Sequence, residues 1–191
     1  MTGDLKLILA SQSPRRRELL EQAGYEFEVI LPSPGAECGK CSGESPVDLV
    51  ARLAMQKAKD VAVRTAEGIV IGCDTVAECM GQILGKPENR DHAEEMLRLM
   101  SGRTHHVFSG LCLWKRPGDA PVIRVDATRL RMDDLSTEKI ESYLETDLWI
   151  GKAGAFGFQD GLDWVHIEDG SASNVVGLPM ELLGEMLQDI S

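Results

Sequence analysis

The sequence predicts an α/β protein with a mixed central sheet flanked by helices, and three observations carry that prediction. Short apolar runs alternate with stretches of helical periodicity along the chain. Two hairpin signals near the middle add antiparallel pairing to a pattern that otherwise requires parallel strands. The 191 residues, 43% of them hydrophobic, suffice for one compact domain over residues 1–191, or for two closely joined lobes.

Residues 5–10 are an apolar run with the length of a buried strand, feeding directly into a helix start. Ser13 suits the N-cap, Pro14 the first helical position, and Gly24 the stop. Residues 25–31 read as a second strand, and residues 32–44, with Pro34, Gly35, Gly39 and Gly43, as a loop carrying Glu37. Ser45 opens a capping-box-like start with Asp48 where Glu or Gln is usual, and Val50, Leu53, Ala54, Lys57 and Val61 follow at helical spacing. Lys57 therefore lies on the apolar stripe: either its stem covers core while the ammonium reaches water, or it points inward toward a cleft.

Residues 68–73 read as a buried strand delivering Asp74 and Thr75 at its end. Residues 76–79 and 83–84 flank a Met80-Gly81 hairpin turn, a register that sets Asp74 near Lys86. A helix over 91–100 ends at Ser101-Gly102, strands over 104–114 and 122–132 pair around a turn at 116–119, and Ser136 caps a helix reaching about residue 145. Residues 151–161 interleave Gly151, Gly154, Gly157 and Gly161 with Lys152 and Gln159, which reads as backbone that comes close to something. A strand over 164–167 and a helix over 179–190 complete the chain, without repeats or a low-complexity linker.

With 20 Lys+Arg against 31 Asp+Glu the formal charge is −11, and an acidic surface repels a nucleic acid polymer. The mean hydropathy is −0.13 and no apolar run approaches the ~18 residues a membrane span needs. Residues 1–9 do not read as a signal peptide, so a cytoplasmic location is expected. Cys38, Cys41, Cys73, Cys79 and Cys112 are expected as free thiols; Cys38 and Cys41 have the spacing that begins a zinc site, but nothing elsewhere completes it.

Against that acidity, Arg15, Arg16 and Arg17 sit together where a strand feeds a helix N-terminus beside Ser11 and Ser13. Free N–H groups, a positive dipole end and forked guanidinium groups suit phosphate oxygens; the plainer alternative is a solvated basic turn. Neither a P-loop nor a dinucleotide-binding glycine motif is present. Asp74 has the chemistry to bind a divalent cation or accept a proton from water, although such residues also simply brace turns. Joined by Lys57, Lys86, Arg15 and Arg16, it forms the set that phosphoanhydride hydrolysis requires, one base among several cations.

The stretches L-A-S-Q-S-P-R-R-R-E-L-L at 9–20, R-L-A-M-Q-K-A at 52–58, D-T-V at 74–76, I-L-G-K-P at 83–87, G-K-A-G-A-F-G-F-Q at 151–159 and N-V-V-G-L-P at 174–179 resemble, in unbroken order, the Maf family of nucleoside triphosphate pyrophosphatases. The resemblance implies an inosine-triphosphatase-like fold with a cleft between two lobes, and a homodimer. It implies hydrolysis of a nucleoside triphosphate to the monophosphate and pyrophosphate with Mg²⁺ or Mn²⁺, in nucleotide-pool cleansing. Asp74 is then the proton acceptor and, with Glu37, a metal contact; Ser13, Arg15, Arg16, Lys57, Thr75, Lys86 and Gln159 bind substrate. Arginine, threonine and glutamine at Arg15, Thr75 and Gln159 match the members acting on dTTP and UTP, whereas members preferring 7-methyl-GTP carry Gln and Glu at the last two. A glutamine amide offers a donor and an acceptor to the imide edge of uracil or thymine. Two departures stand out: Ala36-Glu37 replaces an Asp-Glu pair, and Ala77 and Glu78 replace bulkier β-branched residues. The competing expectations are a non-catalytic nucleotide-sensing regulator of septum formation and a purine- or 7-methyl-GTP-directed pyrophosphatase.

Overall fold

A computed structural model describes residues 6–39, 41, 43–118 and 120–190. Leu5 of the predicted first strand, Lys40 between Cys38 and Cys41, Asp119 of the predicted turn, and the first five residues of the stretch read for a signal peptide lie outside the described residues.

The elements run β1 (Leu7–Ala10), α1 (Pro14–Gln22), β2 (Phe27–Val29), α2 (Pro46–Ala62), β3 (Gly68–Cys79), β4 (Gln82–Leu84), α3 (Arg90–Met100), β5 (Thr104–Arg116), β6 (Val122–Met132), α4 (Thr137–Leu144), β7 (Val165–Asp169), α5 (Ala172–Val176) and α6 (Met180–Ile190). The strands form a seven-stranded sheet in the order β2-β1-β3-β5-β6-β7, with β4 added to β3. β1 is parallel to β2 and to β3, while β3–β4 and β6–β7 are antiparallel, so the sheet is mixed as predicted. Among the described residues no helix is long and apolar enough to cross a membrane.

The chain divides into two compact units, one of residues 1–74, 109–126 and 177–191, the other of residues 75–108 and 127–176. In the first unit both faces of the β1–β3 ladder are covered. Ile8, Ala10 and Val70 pack with Ala54, Ala58, Val61 and Ala62 of α2, while Leu7, Leu9, Ile69 and Ile71 pack with Leu20 of α1 and Leu182, Leu183 and Met186 of α6. Strands buried on both faces read as unbroken apolar runs, which is why β1 was legible without alternation. In the second unit Met96, Leu97 and Met100 of α3 and Ile140, Tyr143 and Leu144 of α4 share a core with Trp149, Phe156 and Trp164. The Tyr143 and Trp164 rings meet edge to face at 5.3 Å.

Local chemistry sets most boundaries. The Ser45 and Ser136 hydroxyls accept from Asp48 N at 3.1 Å and Lys139 N at 3.2 Å, and the Asn89 side-chain Oδ1 accepts from His92 N at 2.9 Å. Met80 and Gly81 both have positive φ, 53° and 78°, as a two-residue hairpin turn demands. The resulting register sets Ala77 opposite Leu84 and Cys79 opposite Gln82, the register expected of a turn centred on Met80-Gly81.

Two expectations need correction, and one element was not foreseen. Asp74 is not at a strand end: β3 continues through it to Cys79, because the Met80-Gly81 turn folds β4 back as a partner for the second half. Ser13 occupies the N-cap of α1 in extended conformation, but its side chain makes no cap hydrogen bond. Its own N–H instead donates to Ser11 Oγ at 3.1 Å. The last segment before α6 contains the unpredicted α5, five residues long and too short to show a period.

Candidate active site

Gly72 fixes how closely α2 approaches β3. A Cβ at that position would collide with the Ala54 carbonyl oxygen and sit 2.8 Å from Ala58 N, so only glycine permits this packing distance. One residue before Ala58, Lys57 is thereby brought onto Asp74. Lys57 is 9% exposed, and its ammonium lies 2.5 Å from Asp74 Oδ1, 3.1 Å from Glu37 Oε2 and 3.4 Å from the Cys73 carbonyl oxygen. Of the two readings of this lysine, the inward one describes the structure: its charge is spent on two carboxylates rather than on water.

Glu37 is itself exposed and enters from the loop between β2 and α2. Arg52 of α2 holds the following part of that loop, donating Nε to Glu44 Oε1 at 2.6 Å, Nη2 to Glu44 Oε2 at 2.7 Å, Nη2 to the Gly39 carbonyl at 3.1 Å and Nη1 to Cys38 Sγ at 3.0 Å. The bond to Glu44 raises the pKa of Arg52 further above its ordinary value. Cys38 and Cys41 are free and exposed, and among the described residues no cluster of three or more His, Cys, Asp or Glu side chains stands ready for a metal ion. The zinc spacing is thus not completed in space by other described side chains.

The basic turn has a specific architecture. Arg16 is 8% exposed; Nε donates to the Gly177 carbonyl at 2.7 Å and Nη1 to Ser11 Oγ at 3.2 Å. Cys73 Sγ reaches the same Gly177 carbonyl at 3.3 Å, so Arg16 and the residue preceding Asp74 share one acceptor. Arg15 is half-buried beside it, while Arg17 is exposed. A buried, doubly anchored guanidinium is inconsistent with a merely solvated turn.

The remaining predicted residues belong to the second unit. Thr75 follows Asp74 along β3 and is half-buried; Lys86 is exposed after β4; Gln159 is exposed in the second of two short 3-10 turns, Ala153–Ala155 and Phe158–Asp160. Asp160, the residue after Gln159, forms an ion pair with Lys152, the side chains only 13% and 10% exposed. Sequence reading missed Ser11, Arg52 and Asp160 as organising residues; Ser11 adjoined the basic motif, but nothing in spacing marked the partners of the other two.

The architecture defines an α/β protein on a mixed seven-stranded sheet, and its fold is that of the Staphylococcus aureus Ham1 protein: the two align with a TM-score of 0.56 at 12% identity, over 97% of this chain and all of that one. Within that fold class the sequence is more specific. The chain belongs to the Maf-like protein family, whose profile matches residues 6–190. Among its relatives, the dTTP/UTP pyrophosphatase of Rhodopirellula baltica is 58% identical over 184 residues, 96% of this chain and 81% of the relative. The dTTP/UTP pyrophosphatases of Geotalea uraniireducens and Dictyoglomus thermophilum are 42% and 40% identical over 94% and 95% of this chain, covering 92% and 94% of their own.

Proposed function

We propose that this protein is a metal-dependent pyrophosphatase that hydrolyses dTTP and UTP to the monophosphate and pyrophosphate. The observation that carries the reading is the Lys57 ammonium held at 2.5 Å from Asp74 and 3.1 Å from Glu37, with buried Arg16 anchored beside Cys73 in the same unit. The names of the relatives support the substrate class.

Asp74 takes the proton of a water molecule that attacks the α-phosphorus, and pyrophosphate departs. Lys57 orients that carboxylate through its 2.5 Å contact and adds a positive charge where phosphate charge accumulates. Arg15, the α1 N-terminus with Ser13, and Lys86 bind phosphate oxygens, while Arg16 braces the turn that carries Ser13 and Arg15. Thr75 and Gln159 select the base, the amide of Gln159 matching the donor–acceptor edge of uracil or thymine.

The carboxylates of Asp74 and Glu37 fit a hard cation. They are oxygen donors that already share one positive charge, the Lys57 ammonium, and Mg²⁺ is commonly held by one or two carboxylates with substrate phosphates and water filling the other positions. A bound Mg²⁺ or Mn²⁺ supplies orientation of water and neutralisation of phosphate charge.

A turnover panel of dTTP, UTP, dCTP, ITP and 7-methyl-GTP, read as pyrophosphate released with Mn²⁺ or Mg²⁺ and again after chelation, tests the proposal. Preference for dTTP and UTP, lost on chelation, is expected. Faster turnover of 7-methyl-GTP or ITP would overturn the substrate reading, and nucleotide binding without pyrophosphate release would favour a sensing role.

A further inference from the structure

We infer that the buried Lys152–Asp160 ion pair is a positioning device for substrate selection, holding the turn that presents Gln159 to the base; this rests on the base-reading role proposed above for Gln159. The pair closes the loop on itself. Lys152 N donates to the Trp149 carbonyl at 3.3 Å and the Lys152 carbonyl accepts from Ala155 N at 3.1 Å, so the lysine is tied to the chain on both sides. Asp160 N donates to the Gly157 carbonyl at 3.0 Å, completing the turn that contains Gln159, and Gly154 N donates to the Gly85 carbonyl at 3.0 Å. The pair packs directly over Gly157: a Cβ there would meet both Asp160 Oδ2 and Lys152 Nζ, so a side chain at this position would displace the ion pair.

Successive side chains in a 3-10 turn diverge by about 120°. With Asp160 drawn inward onto Lys152, its neighbour Gln159 is directed outward, and it is exposed. The loop needs no charges to close, since Phe156 and Phe158 already belong to the apolar cluster of this unit. Two nearly buried charges carry a desolvation cost that apolar replacements avoid, and one attested return for such a cost is a single fixed geometry. Discrimination by an amide depends on such a geometry, because a group displaced by about half an ångström no longer matches its partner.

The test measures kcat and KM for dTTP and dGTP in Asp160→Asn, Lys152→Met and the double variant K152M/D160L, each in the parent and in a Gln159→Ala background, with thermal unfolding recorded for all. The double variant replaces the pair by apolar groups and keeps the fold even where a single change leaves a buried charge unpaired. Expected is an at least tenfold fall in the dTTP-to-dGTP ratio of kcat/KM, borne mainly by KM for dTTP with kcat within about threefold of the parent, and less than a twofold further change in the Gln159→Ala background. An unchanged ratio in the folded double variant would overturn the inference, as would an equal loss on both nucleotides that persists without Gln159. If Gln159→Ala itself leaves the ratio intact, the base-reading role falls and this inference with it. If Gln159→Ala removes selectivity while the pair variants keep it, only the inference drawn here fails.

Discussion

Asp74→Asn separates the chemical role of this carboxylate from its structural one. Asparagine keeps the size of the side chain and an oxygen able to accept from Lys57, now 2.5 Å away, and Lys57 retains Glu37 at 3.1 Å. What is lost in folding is the difference between a charge-assisted and a neutral hydrogen bond, about 1 kcal/mol. For a chain of this length that lowers Tm by about 2–4 °C. What is lost in catalysis is the proton acceptor, worth about 10²- to 10⁴-fold in kcat, or about 3–5 kcal/mol of activation free energy. The two effects therefore differ by several-fold in free energy and are read independently, one by pyrophosphate release at saturating dTTP and the other by thermal unfolding. Nucleotide Kd is expected to stay within about tenfold, since the cationic groups remain. A variant that turns over within tenfold of the parent, or whose lost activity tracks a large drop in Tm, would refute the assignment of Asp74 as the base.

Gly72→Ala is expected to cost about 2 kcal/mol or more, because the new methyl meets the backbone of α2 rather than a yielding side chain, and to lower kcat by shifting Lys57 from Asp74. Thermal unfolding together with turnover checks both effects, and a neutral variant would show that the helix approach is not set at this glycine. His105 is 1% exposed, and burial pushes its pKa from 6.5 down to about 4. Below pH 6.5 the unfolded chain binds the proton that the folded chain refuses, so the contribution is complete above pH 6.5 and is lost between 6.5 and 4, about 3 kcal/mol in all. His105→Phe, which can keep the edge-to-face contact with Phe156, should flatten denaturant stability across that window; an unchanged pH slope would refute the burial effect.

Where neighbours in sequence determine structure, the chain was readable. β1, the caps at Ser45 and Ser136, and the Met80-Gly81 turn follow from local residues, and the structure places them where their side-chain chemistry predicts. Partners brought from a distance were not readable. Helical periodicity located Lys57 on the apolar stripe of α2, but its partner lies on β3, 17 residues later, so spacing left the direction of the ammonium open. Asp74 looked terminal because the apolar run ends there, although pairing with β4 carries the strand onward. Ser13 illustrates a further limit: residue type fixed the N-cap position, while Ser11, two residues earlier, took up the N–H and Arg16 together. Asp160 carried no sequence signal at all, since its meaning comes from Lys152 across the loop.

Hydrolysis of dTTP in ¹⁸O-labelled water, with the products separated and weighed, bears most directly on a water molecule deprotonated at position 74 and aimed at the first phosphorus of the chain. One ¹⁸O atom in dTMP and none in pyrophosphate is the expected pattern. Label in pyrophosphate, or release of orthophosphate carrying it, would place the attack on another phosphorus and contradict the account.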